Sequence, residues 1–135
     1  MAASKTDYLE FLQALEFSRL GYWRWDPATD IVSLSPRAGE IFGLADLCLP
    51  WEEMRGLLLE PEREEVRAAV DRAIETKQDY EVAYRIKRPS DGEIRWILAR
   101  GRALYIDEAV AGMLVFVEDI ARRRGLLVME DGAPA

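Results

Sequence analysis

Residues 80–101 read Tyr80-Glu81-Val82-Ala83-Tyr84-Arg85-Ile86-Lys87-Arg88-Pro89-Ser90-Asp91-Gly92-Glu93-Ile94-Arg95-Trp96-Ile97-Leu98-Ala99-Arg100-Gly101, and this stretch decides the fold. Its two ends are rich in β-branched and aromatic residues, whereas its centre, Pro89-Ser90-Asp91-Gly92, has the composition of a turn. A third run of the same kind follows at Gly112-Met113-Leu114-Val115-Phe116-Val117-Glu118. We therefore predict three consecutive strands at about residues 79–88, 93–105 and 110–118.

The chain before this stretch is predicted to form a short hairpin and several helices. Residues 22–26 alternate aromatic and polar side chains, and a turn separates them from the apolar run at 31–34. Apolar spacing and capping residues predict helices at about residues 6–19, 35–43 and 61–77, with short helical turns at about 51–59. This order of elements predicts an α+β fold, in which a five-stranded antiparallel sheet carries helices on one face.

The order of these segments resembles the layout of PAS domains, a family of sensing and interaction modules found in bacterial sensor kinases and cyclases. Three motifs carry the resemblance: Gly21-Tyr22-Trp23-Arg24-Trp25-Asp26, Ser35-Pro36-Arg37-Ala38-Gly39-Glu40-Ile41-Phe42-Gly43 and Asp119-Ile120-Ala121. The last of these is similar to the short motif at which family members pass from their final strand to an output linker. The resemblance covers residues 20–121, which leaves residues 1–19 as an N-terminal amphipathic flanking helix and residues 122–135 as a C-terminal tail or linker.

The resemblance implies a non-enzymatic module of bacterial signal transduction that acts by dimerisation or by binding a partner. The partner is either a separate signalling protein or a covalently linked output domain. Two alternatives stay open, a stand-alone adaptor for a regulatory protein and a small-molecule or lipid-binding protein. Because Gly125 interrupts the basic run 122–124 and the apolar run 126–129 lacks helical alternation of charge, we expect a nearly complete single-domain protein that acts as an adaptor.

Net charge limits the class of partner, and the cysteine content and the N-terminus indicate the cellular compartment. Eighteen basic and twenty-five acidic side chains give a net charge of −7, which repels nucleic acid and anionic membrane surfaces. We therefore predict no nucleic-acid partner and no direct membrane binding. A single cysteine, Cys48, makes no internal disulfide, and the N-terminus has no signal-peptide pattern, so we expect a cytoplasmic domain.

Residue types also argue against a bound cofactor, a metal and a catalytic site. The chain has no histidine, which excludes haem held by a protein histidine. A flavin photosensor of the related LOV type needs a cysteine within an Asn-Cys-Arg helix, whereas Cys48 lies in Asp46-Leu47-Cys48-Leu49-Pro50. We interpret Cys48 as a buried or half-buried apolar residue without a neighbouring base. The prediction is no cofactor, no metal and no visible chromophore.

Strand alternation divides the apolar residues of the predicted sheet into two faces. By resemblance, one face is the pocket face, and its residues are Trp23, Trp25, Phe42, Val82, Tyr84, Ile86, Ile97, Ala99, Met113, Val115 and Val117. Large aromatic side chains dominate core packing in most domains, so we interpret the rings of this set mainly as core. Any ligand that enters should then be compact and largely apolar.

The opposite face carries too much apolar surface to be left in water. Its residues are Trp96, Leu98, Leu114 and Phe116. The N-terminal helix, with Phe11, Leu12 and Leu15, is the predicted cover, supplied either by the same subunit or by a second one. If a second subunit supplies it, the protein is a homodimer, and these seven residues form its interface or a partner interface.

Overall fold

The computed structural model describes residues 5–120, which form four helices and one antiparallel sheet. The elements, in chain order, are α1 Lys5–Ser18, β1 Gly21–Asp26, β2 Ile31–Leu34, α2 Pro36–Phe42, β3 Cys48–Pro50, α3 Trp51–Arg55, α4 Glu60–Thr76, β4 Tyr80–Lys87, β5 Ile94–Ile106 and β6 Ala109–Asp119. Within this part of the chain no helix is long and apolar enough to cross a membrane. The predicted tail at 122–135, Ala121 and the apolar run at 126–129 lie outside the described residues.

The strands lie in the order β3-β2-β1-β6-β5-β4, and every pair is antiparallel. The α+β class is confirmed, but the predicted count of five strands is wrong because β3 adds a sixth. This strand is only three residues long and pairs with β2, where Leu49 lies opposite Val32. A segment of that length is too short to show alternation, and its terminal Pro50 suits an edge strand.

Local capping chemistry positions α2 directly against β1. The Ser35 hydroxyl accepts a hydrogen bond from the Ala38 amide at 3.2 Å and another from the Tyr22 amide at 3.0 Å. Pro36 occupies the first turn, and Gly43 ends the helix in the left-handed region at φ 72°. Gly21 permits this close approach, because a Cβ atom there would lie 2.6 Å from the Ala38 amide nitrogen.

The core lies between the helices and one face of the sheet, which we call the inner face. Its largest fully buried side chains are Phe42, Ile86, Ile97, Val32, Val115 and Val117. The segment between α3 and α4 closes one end of this face, because Leu58 forms a bridge with Ile86 and the Lys87 amide donates to the Leu57 carbonyl at 2.9 Å. This contact fills the space between the helices and the sheet near Ile86.

Candidate functional site

A cavity of about 280 Å³ lies between the inner face and the helices α3 and α4. The strand residues that line it come from β1, β4 and β6, and α4 supplies a wall of aliphatic side chains. The lining residues on the apolar side are Trp23, Trp25, Trp51, Met54, Leu58, Val66, Val70, Ile74, Tyr80, Tyr84 and Met113. This mainly apolar cavity is a space that a small ligand could use.

Three indole rings form the aromatic end of the cavity. The Trp51 ring lies 5.8 Å from the Trp23 ring and 6.2 Å from the Trp25 ring, measured between centroids. Asp30 fixes two of them, because its carboxylate accepts from Trp25 Nε1 at 2.8 Å and its carbonyl accepts from the Trp51 amide at 2.9 Å. The indoles are thus held in place before any ligand arrives.

Trp51 was missing from the predicted pocket. Its position depends on β3, which pairs with β2 and delivers the start of α3 next to Asp30. Because β3 leaves no periodic signal in the sequence, only the Pro50-Trp51 start of a helix could have drawn attention to this ring.

The predicted pocket residues divide into two groups in the structure. Four of them line the cavity, namely Trp23, Trp25, Tyr84 and Met113. Six others are buried in the core away from it, namely Phe42, Ile86, Ile97, Ala99, Val115 and Val117, and Val82 is half-buried at the edge of the core. Closure of the sheet end by the 57–58 segment explains this division, since the residues near Ile86 meet protein rather than open space.

Tyr80 forms part of the cavity wall because Gly101 has no side chain. These residues are opposite each other on β4 and β5, and a Cβ atom on Gly101 would lie 2.1 Å from Tyr80 Cε1. The ring therefore lies flat on the glycine. Burial raises the pKa of Tyr80, and burial followed by the electrostatic effect of Tyr80 raises the pKa of Tyr84, so both phenols remain neutral at ordinary pH.

Four charged residues line the cavity beside its apolar wall, namely Arg55, Arg63, Arg67 and Asp71. Arg63 Nε donates to the Leu58 carbonyl at 3.1 Å, and Arg67 Nε lies 3.7 Å from the Asp71 carboxylate. The lining thus contains three guanidinium groups and one carboxylate. Local charge at the cavity is positive although the chain as a whole is negative.

The opposite face of the sheet, which we call the outer face, is only partly covered. Its predicted apolar residues are all half-buried, namely Trp96, Leu98, Leu114 and Phe116. The Tyr22 ring extends the patch and lies 6.1 Å from the Phe116 ring. The strands β1, β5 and β6 each contribute apolar side chains to this face, and charged residues lie between them, since Arg100 is opposite Phe116 and Glu118 is opposite Leu98.

Helix α1 does not cover this surface in the described chain. Its last turn is held at α2, where Glu16 accepts from the Arg37 guanidinium at 2.8 Å. Among the predicted interface residues, Phe11 is exposed, and Leu12 and Leu15 are half-buried. The apolar side chain of Phe17 is 90% exposed. Apolar side chains on α1 and on the outer face are therefore incompletely buried by residues 5–120.

One ion pair joins the cavity helix to the outer face. Glu62, a buried residue of α4, accepts a hydrogen bond from Arg85 Nε at 2.5 Å. The hydrogen bond to Glu62 raises the pKa of Arg85. The Arg85 guanidinium carbon also lies 5.7 Å from the centre of the Trp96 ring. A displacement of α4 would therefore act directly on a residue that touches the outer face.

The described residues show no arrangement that suits a metal ion. No group of three or more carboxylate, cysteine or histidine ligands occurs in the range 5–120. Cys48 is exposed, which corrects its interpretation as a buried or half-buried residue. The reason is the pleat of β3, in which Leu49 points inward and its neighbours point outward.

Known proteins with the same fold come from signalling systems. A family model described as "PAS fold" matches residues 31–117. A sensory box histidine kinase/response regulator from Burkholderia thailandensis is 26% identical, with a TM-score of 0.76 over 91% of this chain and 96% of that one. No curated protein matches the chain.

Two further solved structures share the fold at lower identity. The N-terminal domain of a diguanylate cyclase with PAS/PAC sensor from Marinobacter aquaeolei is 19% identical, with a TM-score of 0.67 over 78% of this chain and 98% of that one. A PAS domain from Colwellia psychrerythraea is 17% identical, with a TM-score of 0.68 over 86% of this chain and 98% of that one.

Proposed function

The chain belongs to the PAS-fold family, a group of sensory domains in signalling proteins, and on that premise we propose that it is a non-enzymatic module that acts by self-association. A compact, largely apolar ligand in the cavity would modulate the association. The observation that carries this proposal is that Leu98, Leu114 and Phe116 of the outer face are only half-buried, while Phe11 and Phe17 of α1 are exposed.

The two surfaces suit each other in a symmetric dimer. Each copy supplies one helix and one outer face, so α1 of one copy can lie on the outer face of the other, and the reverse contact follows from twofold symmetry. The ion pair between Glu16 and Arg37 anchors the end of α1 at α2. This anchor favours a helix that projects away from its own sheet and toward a second subunit.

A ligand can change the association only if it binds two arrangements of the domain with different affinity. The ion pair between Glu62 and Arg85 provides a direct route for such a difference. Helix α4 lines the cavity and carries Glu62, whereas Arg85 lies over Trp96 on the outer face. A ligand that moves α4 would therefore alter the surface on which the partner helix lies.

Light scattering on the intact chain tests self-association. We expect a dimer, and we expect Leu98→Glu or Phe116→Glu to convert it to a monomer because a charge would be buried in the interface. Deletion of residues 1–18 should also abolish the dimer or the solubility of the protein. Ile106→Glu provides the matched control, since this exposed residue ends β5 at the far hairpin.

A monomer at high concentration of the intact chain would contradict self-association. The outer face would then be assigned to a different signalling protein, which is the adaptor alternative. Retention of the dimer in both glutamate variants would instead place the interface elsewhere on the domain.

A further inference from the structure

We propose that the cavity binds a compact aromatic carboxylate. This inference rests on the proposed function of the cavity as the site of a modulating ligand, and it adds the chemical class of that ligand. Two observations carry it: the aromatic wall, and the excess of arginine over acidic side chains in the lining.

The wall favours a planar apolar body. Indole rings from Trp23, Trp25 and Trp51 line one part of the cavity, and the phenol rings of Tyr80 and Tyr84 line another part from β4, at the far edge of the sheet. Aromatic rings pack on one another in offset or tilted arrangements, and the indoles already adopt tilted angles of 40° and 51°. A flat aromatic ligand would extend this stack.

The charged residues that line the cavity favour an anionic ligand over a cationic one. Aromatic cages also bind cations, and Asp71 supplies one carboxylate here. Arg55, Arg63 and Arg67 outnumber it, and Asp71 is already paired with Arg67. Among residues 5–120, Arg55 is engaged in no ion pair, so its guanidinium remains available for a carboxylate, the group that its planar donors fit best.

Three ligands of similar shape test which ligand charge the cavity prefers. Isothermal titration calorimetry on the full chain would use 2-naphthoate, its neutral analogue 2-naphthylmethanol and the cationic 2-naphthylmethylammonium. We expect the carboxylate to bind at least ~10-fold more tightly than the alcohol, with the ammonium weakest, and the advantage to shrink as salt is raised.

Variants that each remove one positive charge test which arginines bind the carboxylate. Arg55→Gln and Arg67→Gln should each bring the affinity for 2-naphthoate toward that for the alcohol, and the affinity for the alcohol should stay unchanged. Arg72→Gln removes the same charge from α4 at a position outside the cavity lining, so it serves as the control and should bind 2-naphthoate as the parent does.

The outcomes separate this inference from the proposed function. Equal affinity for the carboxylate and the alcohol, or tightest binding of the ammonium, overturns the carboxylate assignment and leaves a ligand-binding cavity in place. Failure of all the ligands to bind overturns both the inference and the ligand-modulated part of the proposed function.

Discussion

The two faces of the sheet carry similar side chains in very different surroundings. On β5 and β6, Ile97 and Val117 of the inner face are fully buried, whereas their chain neighbours Leu98 and Phe116 on the outer face are only half-buried. Helices α2, α3 and α4 cover the first face, and no described helix covers the second. Hydrophobicity alone therefore does not distinguish a core face from an interaction face.

The faces also differ in the kind of space they leave. The inner face borders a cavity with charged residues at its side, which suits a small molecule. The outer face presents half-buried apolar side chains from several strands, with charged residues between them, which suits another polypeptide. We propose that ligand and partner use opposite faces on that basis, and each prediction below tests the difference between them.

Adjacent alanine substitutions on β5 should give the largest contrast. Ile97→Ala leaves a cavity in the closed core and should lower the free energy of unfolding by about 2–5 kcal/mol. Leu98→Ala removes a half-buried side chain and should cost about 1 kcal/mol or less in the monomer. Urea unfolding of the two variants, at a concentration that favours monomer, measures both values. Equal losses would show that the outer face is as well packed as the inner one.

Gly101→Ala should disturb the inner face by overpacking. The new methyl group would overlap the Tyr80 ring, so the ring must move, at a cost of about 1–3 kcal/mol. The double variant Tyr80→Ala/Gly101→Ala removes this clash, so its loss of stability should be smaller than the sum of the two single losses. Additive losses in that thermodynamic cycle would refute the contact.

Much of this fold could be predicted from local patterns in the sequence. Alternation over residues 80–101 indicates two strands without reference to the rest of the chain, and Ser35 and Gly43 supply the capping chemistry of α2 within nine positions. Both features depend on neighbours along the chain. The strands and the helix therefore appear in the structure close to their predicted bounds.

The cavity could not be predicted in the same way, because tertiary contacts define its limits. Leu58 closes the sheet end near Ile86, and no spacing in the sequence announces that bridge. Trp51 reaches the cavity only because the three-residue β3 pairs with β2. The alternating pattern thus identified the inner face, while the subset of residues that borders open space depends on how the helices lie on it.

Alkaline unfolding should reveal the buried phenols of the inner face. Burial raises the folded-state pKa of Tyr80 and Tyr84 above the ordinary value of 10.0. Below pH 10 both the folded and the unfolded chain keep the two phenol protons, so the free energy of unfolding has its full value. Above it the unfolded chain ionises first, and the free energy of unfolding should fall by about 1.4 kcal/mol per pH unit for each tyrosine. Denaturant titrations across this range should show a shallower fall in Tyr84→Phe than in the parent.

A substitution on α1 should have the smallest effect on folding and a clear effect on dimerisation. Phe11 is 53% exposed, so Phe11→Ser should change the free energy of unfolding of the monomer by no more than about 0.5 kcal/mol. If α1 of one copy covers the outer face of another, the same change removes an apolar side chain from the interface and should weaken the dimer by about tenfold or more.

Gln13→Ser, at an exposed polar position of the same helix, is the matched control and should leave the dimer intact. Sedimentation equilibrium on the three proteins measures the effect. Equal dissociation constants for the parent and Phe11→Ser would show that Phe11 does not lie in the interface, which would contradict cover of the outer face by this part of α1.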